Sequence, residues 1–252
     1  MSESFSPPLP SSPTKNSSVS MRKFALLFAL LLCFLNTPMH AAPEPAREYI
    51  IITGGVSLWA WEKFKAEPHD NWWMNFVRAS RIRIEEIRAQ DPEAQIAWLV
   101  YRPAYLSRSK QDGKDLISLI DSVRDAFKVK LVYFDRTEQL LSYINYGRPR
   151  EMVKIADLEY FGHSNKACFM FDYSNNIDSA SKVWLHEDDL KKIQRGIFAR
   201  DAFVKSWGCH TGESMSSKFR SATGVKMIGA NGKTAYQTDE LPIVSTPGGS
   251  WR

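Results

Sequence analysis

From Tyr49 onward the chain alternates short apolar runs with longer amphipathic stretches, and few folds accept that order. "YIIITGG" (49–55), "QIAWLVYRP" (95–103, closed by Pro103), "KVKLVYFD" (128–135), "KIADLEYFG" (154–162), "AFVKSWG" (202–208) and "VKMIGAN" (225–231) read as strands. "NWWMNFVRASRIRIEEIRAQ" (71–90), "DLISLIDSVRDAF" (115–127), "TEQLLSYI" (137–144, Thr137 as N-cap) and "LHEDDLKKIQRGIF" (185–198) read as helices, with a short one expected from about Glu213. Leu116, Ile120, Val123 and Phe127 recur at helical spacing, and Leu190, Ile193 and Ile197 repeat the pattern. "ACFMFDY" (167–173) reads as a hairpin arm. Strands alternating with helices predict an α/β fold, a mostly parallel sheet with helices on both faces. No repeat or composition shift divides residues 43–252, so one domain is expected, with the turn-rich tail "DELPIVSTPGGSWR" at its end.

Residues 1–42 are of another kind. A Ser- and Pro-rich opening is followed by Arg22 and Lys23, the 12 apolar residues Phe24 to Leu35, and "MHAA". A basic stretch, an apolar stretch and a small-residue end make up a secretory signal peptide. Spanning a bilayer takes about 20 apolar residues. The expectation is an exported protein, secreted or periplasmic, with no stable membrane insertion after signal removal.

Net charge and cysteines follow from that division. The leader holds Lys15, Arg22, Lys23 and Glu3, so it carries two of the five net positive charges. The rest is too weakly basic to argue for nucleic acid, which asks for a clustered basic face. Cys33 lies in the leader, which leaves Cys168 and Cys209, a possible disulfide in an oxidising compartment.

In parallel sheets, reactive groups gather at the carboxyl ends of the strands. There the chain offers Gly54 and Gly55, His163 and Ser164, and Cys209 and His210. "LEYFGHSN" brings His163 to one strand end, and "FVKSWGCHTG" brings Cys209 to another 46 residues later. A cysteine nucleophile needs a base within hydrogen-bond reach and N–H donors for the oxyanion, and neighbouring strand ends can supply both.

On these two blocks the chain resembles the caspase-like (clan CD) cysteine peptidases: caspases, metacaspases, legumain and gingipains. "EYFGHS" is similar to their apolar strand ending in His-Gly, and "KSWGCHTG" to their second strand ending in Cys, with Cys-His-Thr-Gly close to the Cys-His-Ser-Gly of metacaspases. The likeness covers roughly 96–230. It implies a caspase-like α/β/α sandwich, His163 as general base, Cys209 as nucleophile, and the N–H groups of Ser164 and Cys209 as the oxyanion hole. The implied reaction is peptide-bond cleavage through a thioester, with a peptide or protein substrate and no cofactor, calcium activation being left open. Three features depart from the pattern: Ser164 where Gly is usual, Gly208 where Ala is common, and the added unit that begins with "YIIITGG".

Other readings stay beside this one. A chain that keeps the fold without catalysis is a binding module, with the aromatic loop at 59–73 as its surface. "GHSNK" begins like the G-x-S-x-G elbow of serine hydrolases, with Ser164 as nucleophile, Asp172 or Asp188 as acid and His186 or His210 as the histidine, but Lys166 stands at the last Gly position. No short metal clip joins His163, Cys168, Cys209 and His210. Gly54 and Gly55 mark a tight turn, since neither G-x-G-x-x-G nor a Walker lysine follows. Asp70, in "WAWEKFKAEPHDNWW", is either a helix N-cap or a substrate-binding carboxylate that favours a basic side chain before the cut. Thr211 and Glu213 are read as caps of the helix that follows Cys209.

Overall fold

Ile50, Ile51 and Ile52 are all buried, yet they belong to two different apolar clusters, Ile50 and Ile52 to one and Ile51 to the other. Successive side chains of a strand point to opposite faces, so a strand covered on both faces must be apolar throughout. Each such isoleucine contributes about 2 kcal/mol on burial.

The computed structural model describes residues 44–58, 72–173 and 182–252, and residues 45–252 form one compact unit. The leader and Asp70 lie outside the described residues. In chain order the elements are β1 (Ala46–Thr53), α1 (Asn75–Gln90), β2 (Gln95–Tyr101), α2 (Arg102–Asp112), α3 (Leu116–Phe127), β3 (Lys130–Phe134), α4 (Thr137–Tyr146) and β4 (Val153–Phe161). They continue with β5 (His163–Ser164), β6 (Cys168–Met170), β7 (Trp184–His186), a 3-10 helix (Glu187–Lys192), β8 (Phe198–Ser206), α5 (Met215–Thr223), β9 (Ala230–Asn231), β10 (Thr234–Ala235), β11 (Ile243–Val244) and β12 (Ser250–Trp251).

The main sheet has the order β3-β2-β1-β4-β8, and every pair in it is parallel. One face packs on α4 and α5 through Leu140, Leu141, Ile144, Met215 and Phe219. The other packs on α1 and α3 through Phe76, Val77, Ile84, Leu116 and Ile120. The α/β expectation with a parallel sheet therefore holds. The added first strand sits in the middle of the sheet, between β2 and β4. Strand order reverses there, and a crevice opens at the carboxyl ends of strands on either side of such a reversal.

Four local expectations change. The strand read at 225–231 is reduced to a single parallel bridge between Ile228 and Lys205 and the two-residue β9. Pro103 opens a helix as well as ending β2: it falls in the first turn of α2, where a missing N–H costs nothing. The stretch 185–198 forms a strand, a 3-10 helix and the start of β8 in place of one α-helix. The Asn145 side chain donates to Lys192 O at 2.8 Å and accepts from Gln194 N at 2.9 Å, drawing the chain out of helical form. Thr137 is the first helical residue and not the cap; its hydroxyl donates to Trp184 O at 2.7 Å, while Gln139 Oε1 accepts from the N–H groups of Asp135 and Arg136.

Under α1, Arg83 binds Asp157, Glu159 and Glu86. Burial, then the Glu159 charge, pushes the Asp157 carboxyl up to about 9 against the pull of Arg83. Among the described residues its Oδ1 has no hydrogen-bond partner. The folded chain thus holds a proton that the unfolded chain has released, so stability falls as pH rises from about 5 toward 9. Asp157→Asn removes that titration. Its denaturation midpoint should change less between pH 5 and pH 8 than the wild type's, and an equally steep fall would contradict the assignment. The window stops at pH 8 because Lys205, pushed down to about 8 by burial, titrates above it with the opposite sign.

Candidate active site

β4 and β8 are neighbours, and the turns that follow them carry the reactive residues. Gly162 follows β4 because a Cβ there would lie 2.6 Å from the Tyr160 ring carbon Cζ. The Tyr160 hydroxyl, at the end of a fully buried side chain, donates to His163 O at 2.6 Å and lies 3.2 Å from Met170 O. It pins the β5–β6 hairpin to the end of β4. The half-buried His163 ring stacks on Tyr173, with centroids 4.4 Å apart, and meets Phe76 of α1 edge-on at 5.0 Å.

Beyond β8, the Trp207 N–H still donates to Tyr160 O at 2.8 Å, which keeps the two turns side by side. Cys209 follows, half-buried. The link between the turns is direct: the buried Ser164 hydroxyl donates to Cys209 O at 2.7 Å. Cys209 Sγ accepts from the Thr234 N–H at 3.3 Å and lies 3.5 Å from Thr234 Oγ1. Two residues on, the Tyr236 hydroxyl accepts from the Gly162 N–H at 2.9 Å, and its ring meets Phe76 at 4.8 Å. The segment 234–236 therefore reaches from the cysteine turn to the histidine turn.

Oxyanion donors are available at both turns. Asn165 N–H donates to Cys168 O at 3.1 Å, which makes Ser164 and Phe169 the antiparallel pair without mutual bonds. The Ser164 N–H thus points away from β6. Among the described residues the Cys209 N–H has no acceptor.

The remaining candidates separate from this centre. His210 has a left-handed backbone, φ 62°, and its Nδ1 lies 2.6 Å from Glu213 Oε1. Glu213 is thereby turned to His210, and α5 starts two residues later than expected, after Ser214. Thr211 takes part through its carbonyl, which accepts from the Ser216 N–H at 3.0 Å. Cys168 is a free thiol, as is Cys209, so the two form no disulfide. Burial, then Glu187 and Asp189, pushes the Cys168 thiol up to about 11. Asp172 lies 3.3 Å from the Tyr101 hydroxyl, and His186 Nδ1 accepts from the Asp188 N–H at 3.2 Å. Gly54 N–H donates to Phe161 O and Gly55 N–H to Phe171 O, so the pair stays bonded to segments distant in sequence and does not form the tight turn expected of it. Among the described residues no cluster of three or more His, Cys, Asp and Glu is placed to hold a metal ion. None of the described helices is long and apolar enough to cross a membrane.

Sequence reasoning missed Phe76, Tyr173, Thr234 and Tyr236. The Asn231-Gly232 dipeptide signals a turn before Thr234, but nothing local says that the turn folds back over Cys209.

No family model, curated protein or solved structure matches this chain.

Proposed function

We propose that the chain is an exported cysteine endopeptidase of caspase-like type, working through Cys209 and His163. The observation that carries this reading is the Ser164 Oγ to Cys209 O hydrogen bond. It fastens a cysteine turn to a histidine turn at adjacent strand ends, with the Ser164 N–H turned away from β6 and the Cys209 N–H without an acceptor among the described residues. In the reaction, His163 takes the thiol proton and Sγ attacks the peptide carbonyl carbon. The resulting oxyanion lies between the Ser164 and Cys209 N–H groups. His163 then protonates the leaving amine, and a thioester remains on Cys209. Water, deprotonated by His163, attacks that thioester, releases the carboxylic acid and restores the thiol. Two such donors are worth a few kcal/mol in the transition state.

Ser164 is the weaker nucleophile candidate, because its hydroxyl is buried and committed to Cys209 O. Two observations favour an inactive binding module instead: the thiol's contacts are with Thr234, and the His163 ring packs against the rings of Phe76 and Tyr173.

Cleavage of a diverse peptide library under reducing conditions, with and without calcium, separates these readings. Cys209→Ala and His163→Ala should each lower kcat/KM by a factor on the order of 10⁴ to 10⁶ while the fold persists, the range of losses seen when a member of such a catalytic unit is removed. Cleavage indifferent to Cys209 excludes the dyad. No cleavage under any condition moves the assignment to the binding module.

A further inference from the structure

One residue holds both reactive turns. The Tyr160 carbonyl accepts from the Trp207 N–H at 2.8 Å on the cysteine side, and the Tyr160 hydroxyl donates to His163 O at 2.6 Å on the histidine side. The first bond fixes the chain just before Cys209. The second fixes the main chain of His163 itself. A tyrosine turns about two side-chain bonds only, so the span from its carbonyl to its hydroxyl varies little once the ring is packed. The Tyr160 ring is fully buried, stacks on Phe169 with centroids 4.1 Å apart, and meets Phe171 edge-on at 5.8 Å.

The backbone around the hydroxyl leaves room for it. Gly54 and Gly162 are the residues that follow β1 and β4. A Cβ at Gly54 would lie 3.0 Å from the hydroxyl oxygen, closer than atoms normally pack, and one at Gly162 would overlap it. Neither glycine has a positive φ, so space at the hydroxyl, and not backbone conformation, accounts for both. A separate bond supports the same turn, from the Gly162 N–H to the Tyr236 hydroxyl at 2.9 Å.

We infer that Tyr160 is a positioning residue of the site, acting through His163 by setting where the imidazole stands relative to Cys209. The inference rests on the pairing of those two residues in the peptidase reading.

The test is a cycle of variants of the whole chain, read by the iodoacetamide rate at Cys209 near neutral pH. Tyr160→Phe keeps the ring and removes the hydroxyl. It should lower the rate about fivefold, as expected of a small displacement of a catalytic group, the loss being partial because Tyr236 still holds Gly162. In the His163→Ala chain the same change should alter the rate by less than about 1.5-fold, since a positioning residue has no effect once the group it positions is gone. Cys168, on the hairpin that the hydroxyl pins, should keep its slow rate, which reports that the hairpin stays folded. Tyr143→Phe removes a hydroxyl bond of 2.9 Å at the other end of the sheet and should leave Cys209 at the wild-type rate. With a peptide that the wild type cleaves, Tyr160→Phe should lower kcat about tenfold and change KM by less than about twofold. A Tyr160→Phe rate equal to the wild type's, or an unchanged kcat, overturns the inference and leaves the dyad intact. An equal loss with and without His163, an equal loss in Tyr143→Phe, or a faster Cys168 in Tyr160→Phe also overturns it, because the hydroxyl then acts on the fold at large. If His163→Ala itself leaves the Cys209 rate unchanged, the pairing falls and the inference falls with it.

Discussion

Glu48→Ala should lower the stability of the folded chain by about 3–5 kcal/mol, the range found when one partner of a buried ion pair is removed. Glu48 lies on β1 near the amino-terminal end of the sheet and is only 1% exposed. Its Oε2 accepts from Arg150 Nη1 at 2.6 Å and its Oε1 from the Tyr143 hydroxyl at 2.9 Å. Arg150 is itself buried, and it donates through Nε to Ile144 O at 2.8 Å and through Nη2 to Tyr143 O at 3.1 Å, satisfying carbonyls at the end of α4. Without Glu48 the guanidinium stays buried with no counter-charge in contact beyond those carbonyls. Urea denaturation should show a lower midpoint with little change in slope. Glu48→Leu combined with Arg150→Met should recover part of the loss: apolar replacement of both partners removes the cost of the unpaired buried charge, while the Ile144 carbonyl and the Tyr143 hydroxyl still lose their partners. A single variant that loses less than about 1 kcal/mol, the range of exposed pairs, would show that the pair is not buried in solution.

The second large effect is expected at Gly208. A Cβ built there overlaps the Ser164 Oγ and comes 2.9 Å from Gly162 O. The two departures from the caspase-like pattern therefore belong together: the serine fills the room that an alanine at 208 would need. Gly208→Ala should cost about 3 kcal/mol, at the upper end of overpacking penalties, and disturb the hydrogen bond that joins the turns. Ser164→Gly alone should cost about 1–2 kcal/mol, because the buried Cys209 carbonyl loses its donor. In the double variant the overlap with the serine is gone and only the Gly162 O contact remains. Its loss should fall short of the sum of the single losses by at least about 1 kcal/mol, as expected of residues in contact. Additive losses would mean that Ser164 and Gly208 do not meet.

The strands of the main sheet were legible because β1, β2 and β4 are buried on both faces, which forces runs such as "YIIITGG" and "QIAWLVYRP". Positions after apolar runs are strand ends, and that placed His163 and Cys209 at the same end of the sheet. Strand order was not legible: a run of isoleucines says that β1 is buried and not which strands flank it. The helix after Pro103 was hidden because proline marks a strand's end and a helix's first turn alike. The stretch 185–198 misled because Leu190, Ile193 and Ile197 have helical spacing, and the contacts that undo it come from Asn145, a residue distant in sequence. Within the candidate site, the pairing of Ser164 with Gly208 and the reach of 234–236 over Cys209 are tertiary contacts between segments far apart in the chain. Local pattern carries no trace of them.

The central claim is that Cys209 and His163 act as a pair, and alkylation tests it without needing the right substrate or an activated form. The rate of iodoacetamide reaction at Cys209 is measured by peptide mass spectrometry across pH 5 to 9, with Cys168 as the internal control in the same chain. Cys168, its thiol pushed up to about 11, should react slowly over that whole range. Cys209 should react at least about tenfold faster than Cys168 near neutral pH, and His163→Ala should bring it down by a similar factor, as expected of a thiol activated by a neighbouring base. A Cys209 rate that matches Cys168, or that His163→Ala leaves unchanged, would contradict the pairing.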